Sequence, residues 1–308
     1  MNREDKQIVM SVTTFQKTPA LDRFIETYVE QGYDETCILH IADDWGGKPY
    51  EIFYEQNPHN PVWEGFPPGH ETVSRTMESA LDIYNKYRDK IDVAISSGPG
   101  RGGVAVNKNR GIDFFQKHTT AKYLFQLDDD QYFAKPGLCE HLIDISARNN
   151  MDHLTGVWAE AAMDVKPGLS GRTWYEDFPV KGLSKDGLIS WHGGCHGNLN
   201  FYTRKCIDRI GYYARFSGKY GFEHSEHTAR AMRAVAKRSV LWYPQVNTKK
   251  WVQCQSISNN YFDTAEDIAK NNPEYYAKLE EIAQGLNLRA TDPLFDPKTE
   301  TLLKSWES

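Results

Sequence analysis

The sequence predicts an α/β fold organised around a sheet with parallel strands. Short apolar runs rich in β-branched residues alternate with segments of helical periodicity over residues 7–133, as in repeated βαβ units. Two of these runs end in adjacent aspartates, and ligands of open α/β sheets bind beyond the carboxyl ends of the strands. A chain of 308 residues, 40% of them hydrophobic, can bury the core that such a sheet requires.

The first βαβ unit lies at the N-terminus. Residues 7–15 (QIVMSVTTF) predict a strand, and residues 18–32 predict an amphipathic helix because apolar side chains recur there at helical spacing. Residues 36–47 (TCILHIADDWGG) predict a second strand, which ends in two aspartates before a glycine turn. Prolines within residues 49–69 exclude regular elements there and predict a folded loop over one edge of the sheet.

The same pattern repeats before residue 133. Residues 73–90 predict a helix, and residues 91–97 predict a short strand. Residues 98–118 begin with glycines and then become helical. They lead into residues 122–130 (KYLFQLDDD), which predict a strand that ends in three consecutive aspartates.

The second half of the chain has a looser pattern. Residues 136–150 predict a helix and residues 153–161 a strand, whereas the glycines and aromatics of residues 163–205 are more typical of a substrate-binding surface than of a sheet core. A loop then leads to a helix from about Ser225. Residues 265–286 predict one further helix, and the end of the chain, which is low in apolar residues, is expected to pack on the outside.

The composition argues against some classes of binding partner and against secretion or membrane insertion. A formal net charge of −6 and a pI near 5.9 argue against a surface matched as a whole to nucleic acid or to an anionic membrane. The charged start lacks the apolar run of a secretory signal, and no stretch approaches the roughly 20 apolar residues of a spanning helix. The five cysteines lack a C-x-x-C pair and predict reduced thiols. We therefore expect a soluble, cytoplasmic protein.

The most informative motif is the acidic run Asp128, Asp129 and Asp130. Three adjacent carboxylates repel one another, and burial strengthens the repulsion unless a cation or water shares the site. Acidic runs are mostly solvated faces, but this one stands between the apolar segments YLFQL and QYF, where a solvated face is unusual. Its position suits Mg²⁺ or Mn²⁺ held by one or two carboxylates together with phosphate oxygens.

Four segments, in chain order, carry a resemblance to a known enzyme class. They are residues 8–31 (IVMSVTTFQKTPALDRFIETYVEQ), 37–47 (CILHIADDWGG), 102–114 (GGVAVNKNRGIDF) and 121–133 (AKYLFQLDDDQYF). These segments resemble, respectively, the first strand and helix, the nucleoside-binding acidic turn, the glycine-to-asparagine helix start and the metal site of glycosyltransferases with the GT-A fold, in particular the family 2-like group. The resemblance implies a Rossmann-like nucleotide-binding α/β/α sandwich followed by an acceptor-side half.

A fifth segment, residues 194–231, resembles the acceptor-side part of the same family, which carries an E-D-x-[DE]-x-x-x-R pattern. Glu223, Glu226 and Arg230 fit this pattern, but His224 stands where these enzymes usually carry the catalytic aspartate. An inverting enzyme needs a general base at that position and a retaining enzyme does not. Both outcomes therefore stay open, with retention slightly favoured.

The resemblance implies a set of site residues and a cofactor, Mn²⁺ or Mg²⁺. The metal is expected to be bound by Asp128, Asp130 and His196. Donor contacts are expected from Thr13, Asp43, Asp44, Asn109, Arg110 and Asp129. Catalytic contributions are expected from Glu223, His224 and Glu226. Among these, a carboxylate such as Glu223 can stabilise an oxocarbenium-like sugar, and His224 is the candidate base if the enzyme inverts.

Each assignment has a structural alternative. Asp43 and Asp44 can simply open the turn that follows them. Residues 107–110 can cap and decorate a helix start, although a helix N-terminus beside basic side chains would suit a diphosphate. Any single histidine is more often structural than a ligand. Four aromatic residues can form either a stacking floor or part of the core: Trp158, Trp174, Trp191 and Tyr220.

The sequence therefore predicts a metal-dependent glycosyltransferase with a nucleotide-sugar donor, UDP-linked by resemblance. The acceptor stays open between a glycan, a protein side chain, a small molecule and a hydroxylated base in nucleic acid. A nucleotidyltransferase usually has a glycine-rich loop after its first strand, which SVTTFQKTP lacks. A calcium-dependent carbohydrate-binding module leaves the βαβ repeats unexplained.

The same reading predicts the organisation of the chain. Residues 1–265 are expected to form the GT-A domain, with a nucleotide-sugar-binding half over residues 1–133 and an acceptor-side half over residues 134–265. Residues 266–308 are expected to form a C-terminal helical extension.

Overall fold

The structure is a computed structural model, and it confirms the α/β class. It describes residues 3–15, 18–54, 73–100, 102–157, 180–195, 197–216, 222–239, 242–254 and 273–307. Ten strands of this part of the chain form one mixed sheet, and four further strands form two small ribbons. No helix within the described ranges is long and apolar enough to cross a membrane.

The elements alternate along the first half of the chain as the periodicity predicts. The strands are β1 (Ile8–Thr14), β2 (Cys37–Asp43), β3 (Tyr50–Tyr54), β4 (Val73–Met77), β5 (Val93–Ser97), β6 (Tyr123–Asp128), β7 (Gln131–Phe133), β8 (His153–Val157), β9 (Val180–Leu183), β10 (Ser190–His192), β11 (Leu199–Thr203), β12 (Tyr243–Asn247), β13 (Val252–Cys254) and β14 (Thr301–Lys304). The helices are α1 (Thr18–Glu30), α2 (Tyr33–Thr36), α3 (Ala80–Tyr87), α4 (Val104–His118), α5 (Leu138–Asn149), α6 (Arg204–Ile210), α7 (Glu223–Ala234) and α8 (Tyr275–Ala283). A short 3₁₀ turn, Arg3–Asp5, precedes β1.

The large sheet has the order β14-β5-β2-β1-β6-β11-β8-β12-β10-β9. Its four strands β5, β2, β1 and β6 are parallel, and the register places Thr14 beside Asp43 and Thr13 beside Asp128. The two acidic strand ends therefore lie at the same edge of the sheet, on either side of β1. This is the arrangement expected of a ligand site in an open α/β sheet.

The core lies between this parallel half and its helices. The connection from β1 through α1 to β2 runs along the sheet in one direction, and the connection from β5 through α4 to β6 runs in the other. Because such crossovers are right-handed, α1 and α4 cover opposite faces. Both helices bury aromatic side chains against the sheet. At most 1% of each is exposed, for Phe24 and Tyr28 of α1 and for Phe114 and Phe115 of α4. Each such side chain stabilises the fold by about 2–3 kcal/mol through burial.

Two predictions around residues 49–90 were wrong. The prolines of residues 49–69 predict a loop without regular structure, but β3 pairs with β4 as an antiparallel ribbon. Residues 73–77, predicted as the start of a helix, are strand β4 instead. The helix begins only after Ser79, whose hydroxyl accepts a hydrogen bond from the Asp82 amide while the Asp82 carboxylate accepts one from the Ser79 amide. This capping box sets the start of α3.

The glycine-rich segment 163–205, predicted to be a surface, supplies three strands of the sheet. β11 lies antiparallel between β6 and β8, and β10 and β9 extend the far edge. The segments between the glycines are too short to show the alternation of apolar and polar residues that predicts a strand. Residues 204–210, expected within a loop, form helix α6 because the Thr203 hydroxyl caps it by accepting from the Cys206 amide.

The C-terminal segment is more integrated than an outer helical extension. After α8 the chain returns to the parallel half of the large sheet, where β14 pairs antiparallel with β5 and becomes the edge strand. Ser305 continues the contact, since its hydroxyl accepts from the Val93 amide. The pairing joins residues that are about 200 positions apart, so local periodicity could not predict it.

The described thiols are free, as predicted. Cys37, Cys139, Cys195 and Cys206 are all buried and unpaired by disulfides. The sulfur atoms of Cys37 and Cys139 approach to 3.9 Å. Burial raises the pKa of the Cys139 thiol well above its ordinary value, so the pair packs as small apolar groups.

Three histidines are buried within hydrogen-bond networks of the sheet and α7. His40 bridges the hydroxyls of Ser11 and Ser96 at 3.0 and 2.8 Å and stacks on Phe114. Burial lowers the pKa of His40 to about 3 and that of His153 to about 4, and it lowers the pKa of His227 well below the ordinary value. All three are neutral in the folded protein at physiological pH.

These histidines predict acid lability with a definite sign. An unfolded histidine titrates near pH 6.5, so the unfolded chain binds protons that the folded chain refuses, and stability falls as the pH drops from 6.5 towards the folded-state values of about 3 and 4. Near pH 5 we expect a slope of about 1.4 kcal/mol per pH unit from each histidine.

The measurement is urea unfolding of the wild type and of His40→Asn between pH 7.5 and 5. The variant should show a slope smaller by the contribution of one proton. Equal slopes would mean that His40 is already protonated in the folded state.

Candidate functional site

The acidic end of β6 is fixed by its neighbours on β1 and α4. The Thr13 hydroxyl donates to Asp128 Oδ1 at 3.0 Å, and the Asp129 amide donates to the Thr13 carbonyl. The Lys108 ammonium lies 3.8 Å from the same Asp128 oxygen. Asp128 nevertheless keeps 35% of its side chain exposed, and Asp130 is half-buried, whereas Asp129 is buried. Asp128 is thus oriented by the protein and still accessible.

Lys108 joins this acidic end to the second half of the chain. Its side chain is buried on α4, and its ammonium donates to the Gly197 carbonyl at 2.6 Å. A buried ammonium requires both charge compensation and hydrogen-bond acceptors. Asp128 provides the first, and the loop between β10 and β11 contributes to the second.

The opposite wall of the site is the N-terminus of α7. Glu223 is buried there, and its Oε1 lies 3.1 Å from His224 Nδ1, while His224 Nε2 lies 3.2 Å from the Cys195 carbonyl. Both partners of the imidazole are acceptors, whichever way the ring is oriented. Both contacts are therefore hydrogen bonds only when the ring carries two protons.

Glu223 is an ionised carboxylate with one oxygen to spare. Burial by itself would raise its pKa, but the charge and hydrogen bond of His224, together with Lys108 and its own backbone amide, lower the pKa to about 2. Glu223 Oε2 is buried and has no hydrogen-bond partner among the described residues. The same holds for the side-chain oxygens of Asn198 and Asn200 in the adjoining segment.

The two walls meet at Gly197. Its carbonyl accepts from Lys108, and a Cβ at this position would lie 2.6 Å from His224 Nδ1, so the imidazole rests directly on the glycine. The acidic strand end of the first half and the Glu223–His224 pair of the second half therefore share one polar region.

Glu226 has a different environment from Glu223. Its two carboxylate oxygens accept from Arg230 at 2.6 and 2.9 Å, and Arg230 also donates to the carbonyls of Ile210 and Tyr212. Arg230 is 1% exposed. Both oxygens of Glu226 are thus engaged in a buried bidentate pair that ties α7 to the end of α6.

Asp43 shapes the turn after β2. Its carboxylate accepts from the amides of Trp45 and Gly47 at 2.9 and 2.6 Å and from the Ser97 hydroxyl at 2.6 Å. Gly46 and Gly47 both have positive φ, which glycine adopts without strain. This geometry is that of the turn-opening alternative.

Asp44 lies at the N-terminus of α4, a position that would also suit a ligand diphosphate. It accepts from the amides of Gly102 and Gly103 at 2.9 Å each and from Arg110 at 3.0 Å. Arg110 is 2% exposed and also binds the carboxylate of Glu300, at 2.6 and 3.2 Å. The positive end of the helix is therefore satisfied by a carboxylate of the chain itself.

Asn109 is likewise enclosed. Its amide nitrogen donates to the carbonyls of Tyr213 and Pro293, and its oxygen accepts from the Tyr213 amide. The side chain is fully buried. Asn109 and Arg110, expected as donor contacts, thus have their polar atoms engaged with other parts of the chain.

The remaining candidates divide between the core and the ranges outside the structural description. His196, Trp158, Trp174 and Tyr220 lie outside the described residues. Trp191 is buried, with the Arg238 guanidinium 4.8 Å from its ring centre, so it belongs to the core. Within the described ranges no group of three or more His, Cys, Asp or Glu side chains is placed to hold a metal ion.

Sequence reasoning missed several contributors to this region. Glu300 carries no local signal, because its partner Arg110 is 190 positions away. The sequence pattern assigns Lys108 to a helix start or to a diphosphate, and it does not indicate the contacts with Asp128 and Gly197. Phe15, 44% exposed, meets Trp45 edge to face at 5.5 Å, so an aromatic pair follows β1 and β2 at the same edge as the acids.

Comparison with known proteins gives similarity at the level of fold. No protein-family model and no curated protein matches the sequence. The chain is similar to the structure of the mannosyltransferase PcManGT from Pyrobaculum calidifontis in complex with GDP-Man and Mn²⁺, with 11% identity, a TM-score of 0.47 and coverage of 78% of this chain and 54% of that one. It is also similar to S. aureus TarS 1–349 in complex with UDP-GlcNAc, with 13% identity, a TM-score of 0.49 and coverage of 86% and 64%.

The chain thus spans between about half and two thirds of the length of these two proteins.

The pair between Arg110 and Glu300 predicts that the C-terminal segment stabilises the parallel half of the sheet through α4. Glu300→Gln removes one of the two carboxylates around a buried guanidinium, and breaking such a pair costs about 3 kcal/mol. The free energy of unfolding in urea measures the loss. The control is Glu307→Gln, because Glu307 is exposed and its pair with Lys304 is worth less than about 1 kcal/mol. Equal losses in the two variants would contradict the role of Glu300.

Proposed function

We propose that the chain is a glycosyltransferase that moves a sugar from a nucleotide-diphosphate donor to an acceptor hydroxyl. The observation that carries this proposal is the juxtaposition of the accessible Asp128 carboxylate with the Glu223–His224 pair across Lys108 and Gly197. Transfer of a sugar needs an anionic leaving group to be stabilised on one side and an acceptor hydroxyl to be deprotonated on the other. The two walls of the site supply groups of both kinds.

The donor side fits a divalent cation that is completed by the substrate. Asp128 and Asp130 offer hard oxygen ligands, and their partial exposure leaves room for phosphate oxygens. His196, the third expected ligand, lies outside the described residues, and Mg²⁺ or Mn²⁺ is commonly bound through one or two carboxylates and phosphate oxygens. Such a cation, when bound, neutralises the charge that develops on the departing diphosphate. Thr13 and Lys108 hold Asp128 in place for this contact.

We assign the acceptor side to Glu223. Its ionised carboxylate directs one oxygen to His224 and leaves Oε2 for the proton of an acceptor hydroxyl. His224 stands at the position expected for the base, but its two nitrogens face acceptors, so it holds and orients Glu223 instead. Under this assignment a base is present, and the proposed stereochemical outcome is inversion.

The nucleoside is proposed to lie against Phe15 and Trp45. Asp43, Asp44, Asn109 and Arg110 would then shape the donor pocket from behind, because their polar atoms already have partners in the chain. Glu226 belongs to the same framework through its pair with Arg230. A UDP-linked sugar remains the donor that the sequence resemblance favours.

Removal of the acidic pair should abolish metal-linked donor binding. We expect calorimetric titration with a panel of nucleoside diphosphates and Mn²⁺ to show one preferred nucleotide for the wild type and at least tenfold weaker binding for Asp128→Asn and Asp130→Asn. Asp113→Asn is a matched acidic control, because Asp113 lies on α4 in an ion pair with Lys117. Binding that ignores Mn²⁺, or that survives in both site variants, would refute the metal assignment.

Replacement of Glu223 should slow the transfer step and leave donor binding almost unchanged. Glu223→Gln keeps the shape of the side chain and removes its capacity as a base, so we expect turnover to fall by 10²–10⁴-fold. The dissociation constant of the metal-nucleotide complex should change by less than threefold. Single-turnover kinetics with a responsive acceptor measures the first quantity, and calorimetry measures the second. Wild-type turnover in Glu223→Gln would show that another group is the base.

A further inference from the structure

Four aromatic residues, one of which directly precedes Glu223 in the chain, form a cluster of ring contacts. Phe216 and Tyr275 are buried at 6% and 5% exposure, Phe222 is half-buried, and Tyr276 is 63% exposed. Phe222 and Tyr275 stack with centres 3.9 Å apart and planes 9° from parallel, and the Tyr276 ring lies 6.5 Å from that of Phe222. A buried aromatic pair thus supports a more exposed one, and we call Phe222 and Tyr276 the aromatic platform.

The backbone conformation of Phe222 is unusual for an aromatic residue and supports a binding role for its ring. Phe222 has φ 64° and ψ −12°, in the left-handed region, immediately before the first residue of α7. Glycine or asparagine takes this conformation at little cost, whereas a bulky residue is strained there. Strained backbone positions are concentrated at binding and catalytic sites. A turn that served only to start the helix would not need an aromatic side chain.

The platform is linked through the backbone to a carboxylate that needs a hydrogen-bond donor. Phe222 is the neighbour of Glu223, whose Oε2 is buried and has no partner among the described residues. A pyranose ring matches this combination, because its C–H face packs on an aromatic ring while its hydroxyls donate to carboxylate and amide oxygens. An exposed aromatic face next to an unsatisfied buried carboxylate is therefore suited to a sugar.

We infer that the acceptor is a carbohydrate, one of whose pyranose rings stacks on the exposed Tyr276 ring beside Phe222, whose plane is tilted by 55°, with a hydroxyl directed to Glu223. This inference rests on the proposed function, since it identifies the substrate class of the same site. A nucleic acid fits less well, because its phosphates would be placed near the Glu223 carboxylate on a chain of net charge −6. In the transfer, the acceptor oxygen forms a bond to the anomeric carbon, the bond from that carbon to the diphosphate breaks, and the hydroxyl proton passes to Glu223.

The test is saturation-transfer NMR with the full chain, without donor. The probes are the methyl pyranosides of glucose, galactose, mannose and N-acetylglucosamine, maltotriose, cellotriose, a serine-containing heptapeptide and a single-stranded DNA 10-mer. We expect transfer to the C–H protons of at least one carbohydrate, a loss of at least fivefold in Tyr276→Ala and retention in Tyr276→Phe. Phe222→Gly should also lose the signal, and it should fold because glycine relieves the strained backbone.

Trp242→Ala is the matched control, since Trp242 is a 44% exposed aromatic in a different contact, with Trp191. Carbohydrate signals that are equal in wild type, Tyr276→Ala and Phe222→Gly would overturn the inference. Binding of only the peptide or the DNA at Tyr276 would overturn it as well and would name another acceptor class.

The outcome is separable from that of the donor experiment. If carbohydrate binds at Tyr276 but no nucleotide shows metal-linked binding, the platform stands and the transferase proposal falls. If nucleotide binds and no carbohydrate does, the transferase proposal stands and this inference falls.

Discussion

One turn of α4, residues 107–110, is enclosed on every side, and the rest of the site depends on it. Successive helical side chains point about 100° apart, so four polar residues in a row cannot share a face. Asn107 donates to the Thr14 carbonyl, Lys108 to Gly197, Asn109 to Tyr213 and Pro293, and Arg110 to Asp44 and Glu300. The turn therefore joins the ends of β1 and β2, the loop before β11 and the C-terminal segment. At the next position a Cβ would lie 2.2 Å from the Ser11 hydroxyl, which is why Gly111 follows.

This turn also explains how a strand of apolar residues can end in acidic residues, because it provides the cations that compensate them. Carboxylates at the sheet edge are tolerated when cations or amides compensate them. Arg110 compensates Asp44 and Glu300, and two glycine amides add hydrogen bonds to Asp44. Lys108 lies 3.8 Å from Asp128 and helps to lower the pKa of Glu223. Each of the two cations therefore serves two acids, and Asp128 still keeps 35% of its side chain exposed.

The sequence predicted the elements whose signal is local and missed those whose signal is a distant partner. β1, β2, β5 and β6 follow from continuous apolar runs, and α1 and α4 from helical spacing. β14 was not predictable in this way, since its short run forms a strand only against β5. The site residues show the same division between local and distant signals. The acidic residues at the strand ends and at the start of α7 are visible as local motifs. Arg110 is predicted to contact a ligand, because its partner Glu300 lies 190 positions away and gives no local signal.

The histidine at position 224 is linked to the glycine at 197. The imidazole occupies the space of a Gly197 Cβ, and it reaches the Cys195 carbonyl on one side and Glu223 on the other. An aspartate at 224 is too short to make both contacts and would place a second negative charge beside Glu223. With histidine, the contact at 224 lowers the pKa of the buried Glu223 carboxyl, against the effect of burial. Under the proposed function, the carboxylate that would receive the acceptor proton therefore lies at 223, one residue before the position where the sequence resemblance places it.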